Sequence, residues 1–239
     1  MKWGVVMGIV GLQKMTLLDF PGKVACTVFL GGCNFRCPFC HNGGLLDDTA
    51  DRMQIDEFLH FLKGRQGLLD GVCITGGEPT LFPELPTLMK QIKDLGFAVK
   101  LDTNGSEPEV LKAVVNAGLV DYVAMDVKNC PRRYAETVGL PQAPMEKIVE
   151  SLCFLMEGSV DYELRTTVVH QFHDETALED LGKWLHELSG GKKIPKLFLQ
   201  PFVQRASVLD RGLTPPETAK ITDFAKLLSG FAQEVSVRG

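Results

Sequence analysis

The stretch Val24–Asn42 reads VACTVFLGGCNFRCPFCHN. Its first part, Val24–Leu30, is apolar and rich in β-branched residues, which reads as a buried strand. That strand delivers, from its C-terminal end, a loop holding Cys33, Cys37 and Cys40. The spacing Cys-x-x-x-Cys-x-x-Cys lets three thiolates converge on one metal centre. Soft thiolates select iron–sulfur clusters or zinc over hard cations. A [4Fe–4S] cubane has four irons to ligate, so three cysteines leave one iron open, as a catalytic zinc site leaves a position open. The same motif suits a structural zinc site with His41 as fourth ligand, or three unliganded core thiols. Phe39, between the last two cysteines, favours the cluster, because an apolar ring there shields a metal.

Outward from this loop, short apolar runs alternate with helical patterns. Strands are expected at Val24–Leu30, Gly71–Thr75, Phe97–Thr103, Asp121–Val127, Asp161–Val169 and Lys196–Phe202, with a terminal strand at Glu234–Arg238. Helical spacing marks Ile55–Gln66, Glu84–Leu95, Glu107–Ala117, Met145–Met156, Glu175–Leu188 and Pro216–Leu228. Strict alternation predicts an α/β fold with a parallel sheet and right-handed crossovers. Six units are too few for a closed eight-stranded barrel, so an open (β/α)6 partial TIM barrel is expected, with a doubly wound sheet as the alternative. One domain covers residues 1–239: an extension packing on the barrel (1–23), the core (24–203), and a C-terminal helix and strand (204–239).

In parallel α/β proteins, functional groups collect in the loops at the C-terminal ends of the strands. The punctuation of this chain falls there: the cysteine loop, Gly76-Gly77-Glu78-Pro79, Thr103-Asn104-Gly105, Asp126-Val127-Lys128, His170, and Gln200-Pro201. Gly76 and Gly77 permit close backbone approach to a ligand or a positive φ, and the Glu78 carboxylate suits an ammonium group. A tight turn with Glu78 near a helix N-terminus is the plainer reading. Arg165 lies inside a strand, where an unpaired charge is costly, so it is expected to face the pocket and pair with a carboxylate, or to form a structural salt bridge. Cys26, Cys73 and Cys153 fall in apolar patterns and read as core. Cys130 sits on the functional rim, as an ordinary loop residue or a fourth ligand closing the cluster. His170 and His173 read as surface loop residues.

CNFRCPFC resembles the signature of the radical S-adenosylmethionine (SAM) enzymes. The approach to it, GLQKMTLLDFPGKVACTVFLGGCNFRCPFCHN (Gly11–Asn42), resembles the glycyl-radical-enzyme activases, and within them the branch serving anaerobic ribonucleoside-triphosphate reductase. The resemblance covers nearly the whole chain and is strongest from Gly11 to Lys128. It implies a [4Fe–4S] cluster on Cys33, Cys37 and Cys40, with Phe39 and His41 beside SAM. It implies that Gly76, Gly77, Glu78 and Pro79 take the methionine amine. LDTNG (Leu101–Gly105) and MDVK (Met125–Lys128) match activase segments. By that match Asp102, Thr103, Asn104, Asp126 and Val127 lie near the cofactor carboxylate, around a monovalent cation, and Lys128 contacts the cofactor. The implied partners are a glycyl-radical enzyme and a flavodoxin or ferredoxin as electron donor. Two departures stand out. Phe202, Val203 and Gln204 follow Pro201 where pyruvate formate-lyase activases carry a histidine, leaving Gln200 or Gln204 for that contact. No second cysteine set intervenes between Asn42 and Gly71. A radical SAM enzyme acting on a small molecule, such as a deazaguanine synthase, and a non-catalytic zinc module are the rival readings.

Composition agrees with a globular chain: 239 residues, 45% hydrophobic and 23% charged. A net charge of −5 argues against nucleic acid as the main partner. No apolar run is long enough to span a bilayer. The apolar Trp3–Leu12 segment is broken by glycines and lacks a cleavage pattern, so no signal peptide is expected. Seven cysteines, three of them clustered at metal spacing, are usage for a reducing cytoplasm.

Overall fold

The computed structural model describes residues 8–46 and 52–238. Its strands are β1 (Ile9–Thr16), β2 (Ala25–Leu30), β3 (Gly71–Gly76), β4 (Ala98–Thr103), β5 (Tyr122–Asp126), β6 (Asp161–Val168), β7 (Ile194–Pro201) and β8 (Ala232–Val237). The helices are α1 (Ile55–Lys63), α2 (Leu85–Asp94), α3 (Pro108–Asn116), α4 (Pro131–Thr137), α5 (Met145–Met156), α6 (Glu175–Leu188) and α7 (Thr218–Leu228). All strands join one sheet in sequence order; β2 to β8 run parallel, and β1 lies antiparallel on β2. β1 and β8 are its two edges, so the sheet is the open, barrel-like α/β arrangement expected from the alternation of strand and helix. Among the described residues, no helix is long and apolar enough to cross a membrane.

Successive side chains of a strand point to opposite faces, and the two faces here differ in chemistry. Val72, Ile74, Val99, Leu101, Val123, Met125 and Leu164 join Leu88, Ile92, Leu111, Leu152 and Leu181 of the helices in one apolar core. The opposite, inner face carries Cys73 beside Lys100, and Asp126 beside Arg165, in register across neighbouring strands. Its lower end is plugged by Phe20, Ala25 and Tyr122, with Ala98 against them. Above the plug Glu163, fully buried, accepts from Tyr122 Oη at 3.0 Å and Arg238 Nη1 at 2.7 Å. The Arg238 guanidinium lies 3.3 Å from the centre of the Phe198 ring.

Two elements escape the periodicity argument. β1 (IVGLQKMT) pairs with register shifts after Ile9 and Gln13, so no clean alternation marks it. α4 has seven residues, too few for an apolar stripe, and buries Tyr134 and Thr137. Residues 1–7, which hold part of the expected extension and of the apolar Trp3–Leu12 segment, lie outside the described residues.

Candidate active site

At the C-terminal rim of the sheet a cavity of about 210 Å³ is lined by Cys33, Cys37 and Cys40. The same cavity takes in Phe39, His41, Gly76, Gly77, Glu78, Asp102, Thr103, Asn104, Asp126, Lys128 and Arg165. Pro79 and Val127, expected with them, are not in the lining. Val127 is packed in the core, because alternation along β5 puts it on the apolar face with Val123 and Met125, opposite Asp126. Pro79 is buried at the start of a short 3-10 turn. Phe35, Asn42, Thr75, Thr167 and Gln200 complete the wall.

The cysteine loop is clamped from three sides. Arg36 N donates to Val138 O at 2.9 Å in the turn after α4. Asn42 Nδ2 donates to Gly76 O at 2.9 Å on the rim of β3. The irregular segment after β7 covers the third side: His41 Nε2 reaches Val203 O at 2.7 Å, Ser207 Oγ donates to His41 O at 2.7 Å, and Asp210 N donates to Pro38 O at 2.9 Å. His41 also stacks on Phe202 with ring centres 5.5 Å apart. Phe39 packs at 4% exposure against Phe172, so its ring is held in place.

Burial, reinforced by the Glu78 charge, pushes the Cys33 thiol up to about 12. Burial pushes Cys37 up to about 11, although Lys128 pulls the other way. Metal loading therefore has to displace protons. Among the described residues no three His, Cys, Asp or Glu side chains converge as on a single ion. Cys33, Cys37 and Cys40 line one cavity, which suits a polynuclear cluster, while the Nε2 of His41 is bonded to the Val203 carbonyl. The donor set therefore fits a [4Fe–4S] group better than one zinc. Cys130 is fully buried in the core and outside the cavity, so it offers no fourth thiolate there.

The two glycines of the second motif make room for the chain itself. A Cβ on Gly77 would lie 1.8 Å from Gly32 O, and one on Gly76, whose φ is +126°, 2.2 Å from Leu30 O. Gly77 N donates to Leu30 O and Glu78 N to Gly32 O, each at 2.8 Å, binding the rim of β3 to the start of the cysteine loop. Glu78 is 1% exposed. Its Oε1 accepts from Thr80 N (3.1 Å), Thr80 Oγ1 (2.5 Å) and Thr103 Oγ1 (2.7 Å), and its Oε2 from Asn104 N (2.6 Å). Burial raises its pKa against these bonds. One lone pair on Oε2 is left for a further donor.

Opposite Glu78 a charge ladder crosses β4, β5 and β6. Arg165 Nη1 meets Asp102 Oδ2 and Arg165 Nε meets Asp126 Oδ1, each at 2.9 Å, and Lys128 Nζ meets Asp126 Oδ2 at 2.9 Å. Burial drives Asp102 upward, yet Arg165 and Lys100 outweigh it and hold it below the usual carboxylate range. Asp126 is held well below that range by Arg165 and Lys128, again against burial. Burial pulls Lys128 down, and Asp126 overcomes it and holds the ammonium above its ordinary value. Arg165 thus faces the pocket and pairs with both carboxylates. Lys100, paired with Asp102, was not singled out from the sequence, although a lysine inside the apolar run FAVKLDT is the same signal that marked Arg165.

One further group went unmarked and one was misplaced. Asn34 Nδ2 donates to Ser106 Oγ at 2.7 Å, and Asn104 Nδ2 to Asn34 Oδ1 at 3.0 Å, tying the cysteine loop to β4. His173, expected on the surface, is 3% exposed, its Nε2 on Lys128 O at 2.8 Å. Adjacent polar residues concealed its burial, which the structure shows in its bonds to Lys128 and to Val169.

The family model described as "Radical SAM superfamily" matches residues 27–183. A Methanocaldococcus jannaschii protein with the provisional name glycyl-radical enzyme activating enzyme is 34% identical over 234 residues, covering 95% of this chain and 94% of its own. The 7-carboxy-7-deazaguanine synthase of Haemophilus influenzae is 30% identical over 144 residues, 58% of this chain and 63% of its own. Among solved structures, a domain of pyruvate-formate lyase-activating enzyme from Bacteroides vulgatus superposes with a TM-score of 0.57 at 19% identity, over 71% of this chain and 99% of that one.

Proposed function

The chain belongs to the radical SAM superfamily, and from that membership we propose that it is an activating enzyme that generates a glycyl radical on a partner enzyme. The observation that carries this reading is the end-to-end match to the M. jannaschii activating enzyme, against a partial one to the deazaguanine synthase. Cys33, Cys37 and Cys40 would hold a [4Fe–4S] cluster, which when bound supplies the electron that splits SAM into methionine and a 5′-deoxyadenosyl radical.

The chain's own groups bind and orient. Glu78, fixed by four donors, keeps one acceptor site for the methionine ammonium. Arg165 and Lys128 offer positive charge to the methionine carboxylate, with Thr103 and Asn104 beside them. Phe39 and His41, both locked by aromatic neighbours, form the wall for the adenosyl group. The segment after β7 covers the cysteine loop and limits water there.

The Gly11–Asn42 segment supports anaerobic ribonucleoside-triphosphate reductase as the glycyl-radical partner, with flavodoxin or ferredoxin as donor. The seven free cysteines suit a cytoplasmic setting. A small-molecule radical SAM reaction is the second reading, favoured by the deazaguanine synthase relative. The test is anaerobic reconstitution with iron and sulfide, followed by electron paramagnetic resonance of the reduced protein with and without SAM. A [4Fe–4S]⁺ signal that shifts with SAM, release of 5′-deoxyadenosine, and a glycyl radical on added reductase are expected. Stoichiometric zinc with no cluster would overturn the reading; SAM cleavage without any glycyl radical would favour the small-molecule alternative.

A further inference from the structure

Lys100 is 1% exposed, in the inner face of β4. Its ammonium is hydrogen-bonded to Asp102 Oδ1 and lies 3.8 Å from Cys73 Sγ. The other Asp102 oxygen, Oδ2, is taken by Arg165 Nη1 at 2.9 Å. The two Asp126 oxygens are taken by Arg165 Nε and Lys128 Nζ, each at 2.9 Å. Each of the four carboxylate oxygens is thus bonded by a side-chain cation, Arg165 serving two of them. Of these three cations Arg165 and Lys128 line the cavity, while Lys100 lies behind them.

A monovalent cation binds through several oxygens whose lone pairs are free to turn to it. Here each carboxylate oxygen that would serve already carries a donor bearing full positive charge, so a free cation at its remaining lone pair would stand against Lys100, Arg165 or Lys128. A buried ammonium needs its carboxylate as much as the carboxylate needs the ammonium, since either charge left unpaired at this depth is costly. An ion from solution that displaced Lys100 from Asp102 would leave its ammonium buried without a carboxylate. The resemblance implied a monovalent cation beside Asp102 and Asp126, and the donor set does not fit one.

We propose that Lys100 is a tethered counter-cation of Asp102, and that this rim works without a free monovalent ion. Lys100 is then a positioning residue: it holds Asp102 charged and so holds Arg165 against it.

The first readout is the thermal midpoint of the full chain in potassium chloride, sodium chloride or choline chloride at equal ionic strength. The wild-type chain should give the same midpoint in all three. Lys100→Met leaves an Asp102 oxygen open, and potassium should raise its midpoint over choline by about 3 °C. Lys100→Met with Asp102→Asn removes the carboxylate and should lose that response. Lys100→Gln replaces Lys100→Met should the latter not fold. The second readout, which rests on the function proposed above, is SAM affinity in the same salts: unchanged for wild type, and about tenfold tighter with potassium for Lys100→Met. A wild-type midpoint raised by potassium, or a Lys100 variant that responds no differently from wild type, overturns the proposal. Absence of SAM binding to any variant counts against the proposed function alone, because the midpoint test of Lys100 uses no SAM.

Discussion

His173 holds Lys128 through its backbone, with ring Nε2 on the Lys128 carbonyl at 2.8 Å and Nδ1 accepting the Val169 N–H at 3.1 Å. Burial pushes its pKa down to about 4 from the ordinary 6.5. Between those values the unfolded chain binds more protons than the folded one, so this group's contribution to stability falls as pH falls. The loss begins near the unfolded pKa and is complete below the folded one, reaching about 3 kcal/mol. Urea midpoints measured from pH 7 down to pH 4 should drop accordingly, and His173→Gln should flatten that part of the slope. An unchanged slope in the variant would place the acid sensitivity elsewhere. Glu78 shows a different limit: Thr103 and Asn104 were marked as rim residues, but that they and Thr80 donate to Glu78 was invisible in the sequence.

Between elements, the contact that matters most is the rim of β3 against the end of β2. The register Leu30 to Gly76 continues past both strands, so Gly77 slides under the Gly32 carbonyl. Gly77→Ala places a methyl group 1.8 Å from that oxygen, against backbone that cannot rotate away. The loop must shift, costing about 1–3 kcal/mol and moving Cys33, which follows Gly32 directly. Iron content after reconstitution should fall in Gly77→Ala while far-ultraviolet circular dichroism stays close to wild type; full iron loading would show that the loop can absorb the change. The glycine pair was legible as a motif. Its physical cause was not, because the oxygens it must clear come from a segment more than forty residues earlier.

The whole molecule is an open sheet whose polar inner face is sealed at the bottom and clasped at its edges. Arg238 follows β8 and reaches back to Glu163 of β6, a carboxylate with no exposure to water. Arg238→Ala leaves that carboxylate, among the described residues, with the Tyr122 hydroxyl as its hydrogen-bond donor, and should destabilise the chain by about 3 kcal/mol. Adding Glu163→Gln should recover part of the loss in chemical denaturation; no recovery would mean that Arg238 acts through its packing on Phe198 instead. From the sequence alone, alternation of apolar strands and amphipathic helices determined the parallel α/β architecture, and the cysteine spacing marked a loop that lines the rim cavity. These are local patterns, repeated along the chain by the periods of strand and helix. β1 and α4 were not legible, being irregular or short. The inner charge ladder was half legible: Arg165 and the two aspartates stand out in their strands, but Lys100 and the oxygen each cation takes do not. Lys100 with Asp102 and Lys128 with Asp126 pair along one segment, two residues apart, whereas Arg165 pairs across strands with both carboxylates, which depends on which residues of β4, β5 and β6 lie level across the sheet. Only the tertiary structure decides that register, because burial forces each charge to find a partner wherever the sheet brings one.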